Sequence, residues 1–293
     1  MADYGNMSAD TTTLRGKNQS VPATSLQARR VAKRMALALD VAVPASNGVV
    51  ILAYHRVGER TDSPVDMSTA MFRRQLGHLA ATAAVVTLDD AIEGLENDQF
   101  ASAPPSVLTF DDGTADFVDV VLPILVDFGL SATLYLSTAF VDSGACYPGG
   151  GVPLTWNALR EVASTGLVTI GAHTHNHALL DRCDVDVARR ELDVCNERIA
   201  DELGLEAQHL AYPKALQGNG AVELEVRDRY RSAAIAGTRA NTSRSFDPYR
   251  LFRSPIQRSD GWEGFVRKLE GGMRAEDDFR RLLNLVRYRG KDA

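Results

Sequence analysis

The chain has 293 residues, of which 45% are hydrophobic and 24% are charged, and its formal net charge is −6. These values are typical of a globular protein with one large domain, and the acidic charge gives no indication of nucleic-acid binding. The odd number of cysteines and the lack of a CxxC pair argue against a disulfide framework. We therefore expect a cytoplasmic protein whose cysteines, Cys146, Cys183 and Cys195, are reduced.

The first part of the chain differs in composition from the rest. Residues 1–25 are polar and rich in Ser, Thr, Asn and Asp, which predicts a disordered tail without a secretion signal. Residues 26–46 form an extension in which apolar spacing predicts a short basic helix. Such a helix could rest on a membrane surface, but its lack of aromatic residues favours packing on the main domain. No run approaches the roughly 20 apolar residues of a membrane span, so stable membrane insertion is not expected.

Residues 47–270 show strand patterns that alternate with helix patterns, and residues 271–293 predict a further C-terminal helix around 277–286. Repeated βα units indicate a parallel sheet, either open and doubly wound or closed as a barrel. The predicted strands are 49–54, 84–88, 106–110, 132–136, 167–172, 209–212 and 232–236. The predicted helices of the main domain are 70–82, 117–128, 155–164, 185–202, 221–228 and 261–269.

Two short motifs come directly after predicted strands. The first is TFDDG at residues 109–113, and the second is HTHNH at residues 173–177. His55 and Pro213 follow strands in the same way. In a barrel, all these positions meet at the C-terminal rim, where the loops build active sites. This shared location favours an α/β fold of the (β/α) barrel type.

The residue types in these motifs suit a metal-dependent hydrolase. Adjacent carboxylates at a strand end point in different directions, so one of Asp111 and Asp112 can bind a metal while the other acts as a base. His173 and His177 are four positions apart and can reach one ion. Three roles are open to His175: a metal ligand, a residue that contacts the ligands, or an exposed residue. We favour the last two.

Simpler interpretations exist for each motif taken alone. A single Asp before a helix is usually an N-cap, and a His-rich segment is often a surface turn. An Asp-rich strand end also occurs in Mg²⁺-dependent phosphotransferases, but their two Asp residues are spaced by one position, and Mg²⁺ prefers oxygen ligands to histidine. The two motifs together therefore favour a hydrolytic metal site.

These motifs resemble the first two motifs of the polysaccharide deacetylase family, carbohydrate esterase family 4. Residues 52–57 (LAYHRV), 211–213 (AYP) and 248–253 (PYRLFR) resemble further segments of one branch of that family. The resemblance covers roughly Val49 to Leu269. It implies an irregular (β/α) barrel and the metal-dependent removal of N- or O-acetyl groups from sugars.

The resemblance also implies roles for single residues. Asp111 would be the general base, and Asp112, His173 and His177 would hold the metal. We expect Zn²⁺, with Co²⁺ or Ni²⁺ as alternatives because they share ligand types. The third motif would place Tyr212, Pro213 and Lys214 against the substrate, with the Lys214 N–H in the oxyanion hole.

The chain departs from the family pattern at three places. Ala211 stands where an Arg usually orients the base, and Arg253 or Arg250 is the candidate replacement. Lys214 stands where an aromatic residue usually follows the Pro, which favours an anionic substrate. No clear Leu-x-His motif lies near the C-terminus to supply the usual general acid, so His55 is our candidate. His209 begins a strand and should face away from the rim, and His78 lies within a predicted helix.

The leading hypothesis is an intracellular deacetylase of an N-acetylated sugar or glycan precursor, such as a nucleotide sugar, a lipid-linked glycan precursor or an aminoglycoside-like metabolite. A second hypothesis keeps the fold and the metal but assigns another C–N bond, in a formamide or a cyclic amide. A third is a non-catalytic carbohydrate-binding barrel, which the intact set of four site residues disfavours. The sequence does not determine the oligomeric state.

Overall fold

The computed structural model describes residues 48–100 and 104–273. The predicted tail 1–25, the extension 26–46 and the helix 277–286 lie outside these residues. Within them, nine strands are found, seven of which form a closed parallel barrel. The strands are β1 (Val50–Tyr54), β2 (Arg56–Val57), β3 (Asp66–Met67), β4 (Ser106–Phe110), β5 (Ala132–Leu136), β6 (Val168–Ala172), β7 (His209–Ala211), β8 (Ser232–Ala236) and β9 (Leu251–Pro255).

The barrel order is β1-β4-β5-β6-β7-β8-β9, and every neighbouring pair is parallel. Closure comes from β9, which pairs with β1 in a register that places Arg253 opposite Ile51. The two short strands β2 and β3 pair with each other outside the barrel. The predicted (β/α) barrel is thus confirmed.

Helices lie between most of the strands and cover the outside of the barrel. They are α1 (Thr69–Thr82), α2 (Leu88–Glu96), α3 (Leu122–Phe128), α4 (Thr138–Ser143), α5 (Trp156–Ser164), α6 (Val185–Leu203), α7 (Gly220–Arg229) and α8 (Gly261–Leu269). Several begin at a side-chain N-cap, such as Ser68 before α1, Thr155 before α5 and Asp184 before α6. No helix among the described residues is long and apolar enough to cross a membrane.

Alternation along the strands divides the core into two clusters. In β1, Leu52 and Tyr54 pack outwards with the helices, whereas Ile51 packs into the barrel. The inner cluster also contains Leu88 and Leu95 of α2, so this helix closes the end of the barrel where the strands begin. Side chains therefore fill the interior, and the opposite rim is left for the loops that carry function.

The predicted strand 84–88 is wrong. Only Val85 makes an isolated bridge, to Ser106, and Leu88 already begins α2. The Thr87 hydroxyl accepts a hydrogen bond from the Asp90 N–H at 3.1 Å, which caps the helix and ends the extended segment. The seventh barrel strand is instead β9, where Arg and Ser among the apolar residues mask the strand pattern.

The predicted helix 117–128 is divided into two parts. Phe117–Val121 is a π-helical turn, and α3 follows from Leu122. Pro123 lies in the first turn of α3 and has no N–H to continue the earlier hydrogen-bond ladder, which accounts for the change. The short helix α4 was not predicted, although it packs beside the second motif.

Candidate metal centre

The sequence motifs converge at the C-terminal rim of the barrel. His55 follows β1, Asp111 and Asp112 follow β4, His173 follows β6, and Pro213 comes two residues after β7. Because parallel strands end at the same edge of a barrel, residues far apart in sequence become neighbours there.

Asp112, His173 and His177 place one ligand atom each within 4.8 Å of one another. The Asp112 Oδ1 atom lies 3.9 Å from the Nε2 atom of His173 and 3.7 Å from the Nε2 atom of His177. The two imidazole rings meet edge to face, with 4.9 Å between their centroids. The predicted ligand set therefore forms one cluster.

The orientation of His173 is fixed by a backbone group. Its Nδ1 atom lies 2.6 Å from the carbonyl oxygen of Ala211 at the end of β7. A carbonyl only accepts hydrogen bonds, so Nδ1 carries the proton and Nε2 keeps the lone pair that faces Asp112. Burial lowers the pKa of His173, and burial together with the neighbouring His173 lowers the pKa of His177 to about 3. Both rings are thus neutral, as metal ligation requires.

The backbone around the cluster is strained. Asp112, Thr174, His177, Lys214 and Ala215 all have positive φ values, between 54° and 76°. Such conformations cost non-glycine residues on the order of 1–3 kcal/mol each and concentrate at functional sites. The surrounding contacts hold these residues against that cost.

Gly113 makes the turn after Asp112 possible. Its φ is +84°, and a Cβ atom added there would lie 2.7 Å from the Leu136 side chain. A larger residue would therefore push the carboxylates away from the rim.

Asp111 has a different partner from its neighbour. Both of its carboxylate oxygens accept hydrogen bonds from Arg253, at 2.5 and 2.9 Å, and both side chains are buried. The same guanidinium donates to the Thr109 hydroxyl at 3.2 Å and lies over the Tyr135 ring. Burial alone would raise the pKa of Asp111, but the Arg253 charge and the nearby histidines hold it well below its usual range. Asp111 is therefore an ionised, oriented carboxylate.

Arg253, and not Arg250, supplies the charge beside Asp111. Arg253 points into the barrel from β9, whereas Arg250 is exposed on the turn Pro248–Arg250 that precedes it. This arrangement explains how Ala211 can stand where the family pattern has an arginine. The guanidinium comes from a different strand.

His55 and Lys214 border the cluster. The His55 Nε2 atom is 3.8 Å from the Asp111 Oδ2 atom, and a quarter of the His55 side chain is exposed. Lys214 is exposed, and its charge is close enough to contribute to lowering the pKa of His177. Their catalytic roles stay predictions.

The Tyr212 side chain is not available to a substrate in this structure. It is 1% exposed and packs in the outer core, and Pro213 is buried as well. A substrate contact from this motif must therefore come from Lys214 or from the backbone.

The other histidines lie outside the ligand set. The His209 ring contacts the Ser232 hydroxyl at the end of the barrel where the strands begin, as its position predicted. His78 lies on α1 and packs against Trp262 of α8. His175 is half-buried, and its Nδ1 atom lies 2.8 Å from the Thr138 hydroxyl, so it is not part of the ligand cluster.

Two supporting residues could not be recognised from the sequence. The Tyr147 hydroxyl donates to the Asp112 carbonyl, and the Glu191 carboxylate binds Asn176 within the second motif. Tyr147 lies in a loop and Glu191 within the long helix α6, and neither carries a local pattern that marks it.

The donor set fits a divalent transition metal. Two neutral imidazoles and one carboxylate are characteristic ligands of Zn²⁺ in catalytic sites. Ligand atoms at about 2.1 Å from a tetrahedral ion would be about 3.4 Å apart, so the observed separations need only small side-chain adjustments. Three protein ligands would leave a position open for water or substrate.

Comparison with known proteins agrees with this geometry. Residues 100–233 match the family model described as Polysaccharide deacetylase. A search of curated proteins found no significant match.

Solved structures of deacetylases share the fold. The Streptococcus pyogenes deacetylase PplD, in complex with acetate, has a TM-score of 0.67 and 20% identity, covering 76% of this chain and 98% of that chain. IcaB from Ammonifex degensii has a TM-score of 0.64 and 21% identity, over 76% and 98% of the two chains. A de-N-acetylase from Aggregatibacter actinomycetemcomitans has a TM-score of 0.64 and 20% identity, over 75% and 99%.

The family match spans the strand ends that carry both metal-ligand motifs, and the structural matches have the same barrel. Through this segment, the chain is similar to the polysaccharide deacetylase family.

Proposed function

We propose that the protein is a metal-dependent hydrolase that removes an N-acetyl group from an amino sugar or glycan precursor. This proposal rests on two neighbouring carboxylates at the C-terminal rim of the barrel that have different partners. Asp112 belongs to a metal-ligand cluster, and Asp111 is held beside it by Arg253. A bound divalent metal would polarise the acetyl carbonyl and lower the pKa of a water molecule.

The chain's own residues complete the reaction. Asp111 takes the proton from the attacking water, and Arg253 keeps this carboxylate ionised and aligned. The Lys214 N–H, on a backbone turned by its positive φ, donates to the acetyl oxygen as negative charge develops. His55 delivers a proton to the leaving nitrogen, so that the amide and water become an amine and acetate. Zn²⁺ is the metal we propose, with Co²⁺ and Ni²⁺ as alternatives.

The substrate that we propose is an acetylated carbohydrate with an anionic group. The exposed Lys214 ammonium at the rim supports this choice, because it stands where an aromatic residue would otherwise stack on a sugar. The arginine missing at Ala211 was one reason for considering other C–N bonds. Arg253 removes this reason, because it supplies a guanidinium that orients Asp111. Lys214 is the remaining reason, and formamides or cyclic amides stay the second candidate class.

A cytoplasmic location is also a proposal. The three cysteines are all free thiols, two of them buried, which suits a reducing compartment. Fractionation of cells that express the protein would test it, and recovery outside the cytoplasm would contradict it.

The test combines metal content with product analysis. Purified wild type should hold about one metal per chain and release acetate from N-acetylglucosamine oligomers or UDP-N-acetylglucosamine. His173→Ala should lose both properties, because it removes a ligand. His78→Ala is the matched control and should keep both, since this histidine lies on α1 and packs on Trp262 of α8.

The outcomes separate the candidate functions. Metal without acetate release would direct the search to other amides, whereas no metal under any loading condition would rule out the proposed mechanism. Faster acetate release from UDP-N-acetylglucosamine than from neutral oligomers would support the anionic substrate.

A further inference from the structure

The turn that carries the second motif has an unusual shape. His173 and His177 lie at its two ends, and Thr174 and His177 have φ values of 61° and 59°. One hydrogen bond closes the turn internally, from the Ala178 N–H to the Thr174 hydroxyl at 2.9 Å. Two residues with left-handed backbone conformations in so short a segment need support from contacts elsewhere in the fold.

That support comes from Glu191 on α6. Its Oε2 atom accepts a hydrogen bond from the Asn176 N–H, and its Oε1 atom accepts one from the Asn176 side-chain amide, each at 2.7 Å. The Glu191 carbonyl also accepts from the His175 N–H at 3.1 Å. One helical residue thus binds three donors of the turn, and two of them belong to the residue next to His177.

Glu191 is itself buried, with 8% of its surface exposed. Among the described residues, no lysine or arginine forms an ion pair with it, and both of its carboxyl oxygens accept hydrogen bonds from the turn. A buried carboxyl group is costly unless its oxygens are hydrogen-bonded. The arrangement therefore ties the Glu191 side chain to one conformation of the turn.

The neighbours of Glu191 on α6 hold this residue in place. Leu192 and Cys195 are buried in the outer core, and the Cys195 thiol lies 3.6 Å from the Leu136 carbonyl at the end of β5. The helix is consequently fixed to the same rim from which His173 emerges. Glu191 transmits that rigidity to the turn.

We propose that Glu191 is a positioning residue for metal binding, which acts through Asn176 to hold His177 opposite Asp112. This inference rests on the proposed metal site but concerns affinity, not catalysis. Groups that orient metal ligands typically change metal affinity by about 10- to 100-fold when they are mutated.

The test uses Glu191→Ala in metal-stripped full-length protein. Alanine removes the carboxylate that accepts from the Asn176 N–H and from the Asn176 side-chain amide, so both hydrogen bonds are lost. We expect Zn²⁺ affinity, measured by competition with a chromogenic chelator, to fall by at least about tenfold. The visible spectrum of the Co²⁺-loaded variant should also change, because a displaced His177 alters the ligand geometry.

Glu197→Ala is the matched control. It makes the same chemical change on α6, but Glu197 is exposed. Its Zn²⁺ affinity and Co²⁺ spectrum should equal those of wild type. The melting temperature of each metal-free variant separates loss of affinity from loss of folding.

Asn176→Ala provides a second route to the answer if Glu191→Ala does not fold. It removes the side-chain donor but keeps the backbone N–H, so a smaller loss of Zn²⁺ affinity is expected. If the variants fold and bind Zn²⁺ like wild type, the inference is overturned while the proposed function stands. If wild type itself binds no metal, the proposed function fails first.

Discussion

Asp111 and Asp112 are adjacent in the chain but have different partners. Asp111 forms a two-fold hydrogen-bonded pair with Arg253, and Asp112 faces His173 and His177. The positive φ of Asp112 separates the two directions. One strand end can therefore supply a base and a ligand without competition between them.

At the residue scale, Asp111→Asn should separate chemistry from metal binding. An amide cannot take a proton from water, so kcat/KM should fall by at least about 100-fold. Metal affinity should change little, because Asp112 and both histidines remain. Steady-state kinetics and chelator competition measure the two effects.

Asp119→Asn is the control for this variant, since Asp119 is exposed on the nearby π-helical turn. It should keep full activity. Undiminished activity in folded Asp111→Asn would show that another group is the base.

At the element scale, the loop between α4 and α5 supports the first motif. The buried Tyr147 hydroxyl donates to the Asp112 carbonyl, and the Tyr147 ring stacks on Phe140 with centroids 4.0 Å apart. The loop also pairs with the segment after the motif, through a bridge between Thr114 and Pro153. A loop distant in sequence thus fixes the strained backbone of a metal ligand.

Tyr147→Phe should weaken this support without disturbing the ring stack. Loss of a buried hydrogen bond costs on the order of 1–2 kcal/mol, so both thermal stability and metal affinity should decrease. Calorimetry and chelator competition provide the measurements. Tyr249→Phe, which removes an exposed hydroxyl, should match wild type, and an unchanged metal affinity in Tyr147→Phe would argue against the support.

An ion pair holds the helix α2 to the end of the barrel where the strands begin. Asp89 in its first turn pairs with Arg231 and lies 3.3 Å from the His209 Nε2 atom. The neighbouring His209 and the Arg231 guanidinium together outweigh burial and lower the pKa of Asp89. A lowered folded pKa stabilises the fold above the unfolded pKa of about 3.9, and this contribution is lost as the pH falls through the folded value.

Asp89→Asn should therefore reduce the free energy of unfolding at pH 7, by no more than about 1 kcal/mol because the carboxylate is partly exposed. The difference from wild type should begin to shrink as the pH falls below about 4 and should vanish below the lowered folded pKa of Asp89. Urea unfolding at several pH values measures both. Glu93→Gln, an exposed change on the same helix, should show neither effect, and a pH-independent difference for Asp89→Asn would contradict the assignment.

At the scale of the whole molecule, the ligands come from two separate parts of the barrel wall. Asp112 follows β4, and both histidines follow β6, with β5 between these strands. A metal that binds only the folded protein therefore stabilises the entire barrel. With free metal at about 1,000 times Kd, this stabilisation is about 4 kcal/mol.

Metal removal should lower the melting temperature by about 10 °C, from the usual relation between free energy and melting temperature for domains of this size. His173→Ala should melt at the same temperature with and without added metal. Scanning calorimetry with a chelator, followed by metal addition, tests both statements. Equal melting temperatures for wild type in the two states would contradict ligation by residues from separate strands.

The alternation of strands and helices was sufficient to predict the barrel and most of its wall. The pattern wrongly predicted a strand at residues 84–88, where an apolar run continues into α2, and it did not predict β9. The second error has a physical cause. The strand Leu251–Pro255 carries a buried Arg253 whose carboxylate partner, Asp111, follows β4, and no local pattern contains that partner.

The sequence by itself determined the chemistry and the order of the elements, because residue types fix ligand preference and periodicity fixes which strand ends carry them. Only the tertiary structure decided which arginine meets Asp111, where the Tyr212 ring packs and which helix supports the histidine turn. These choices depend on barrel closure and on packing between segments far apart in the chain. Such long-range contacts leave no mark on the local residue pattern.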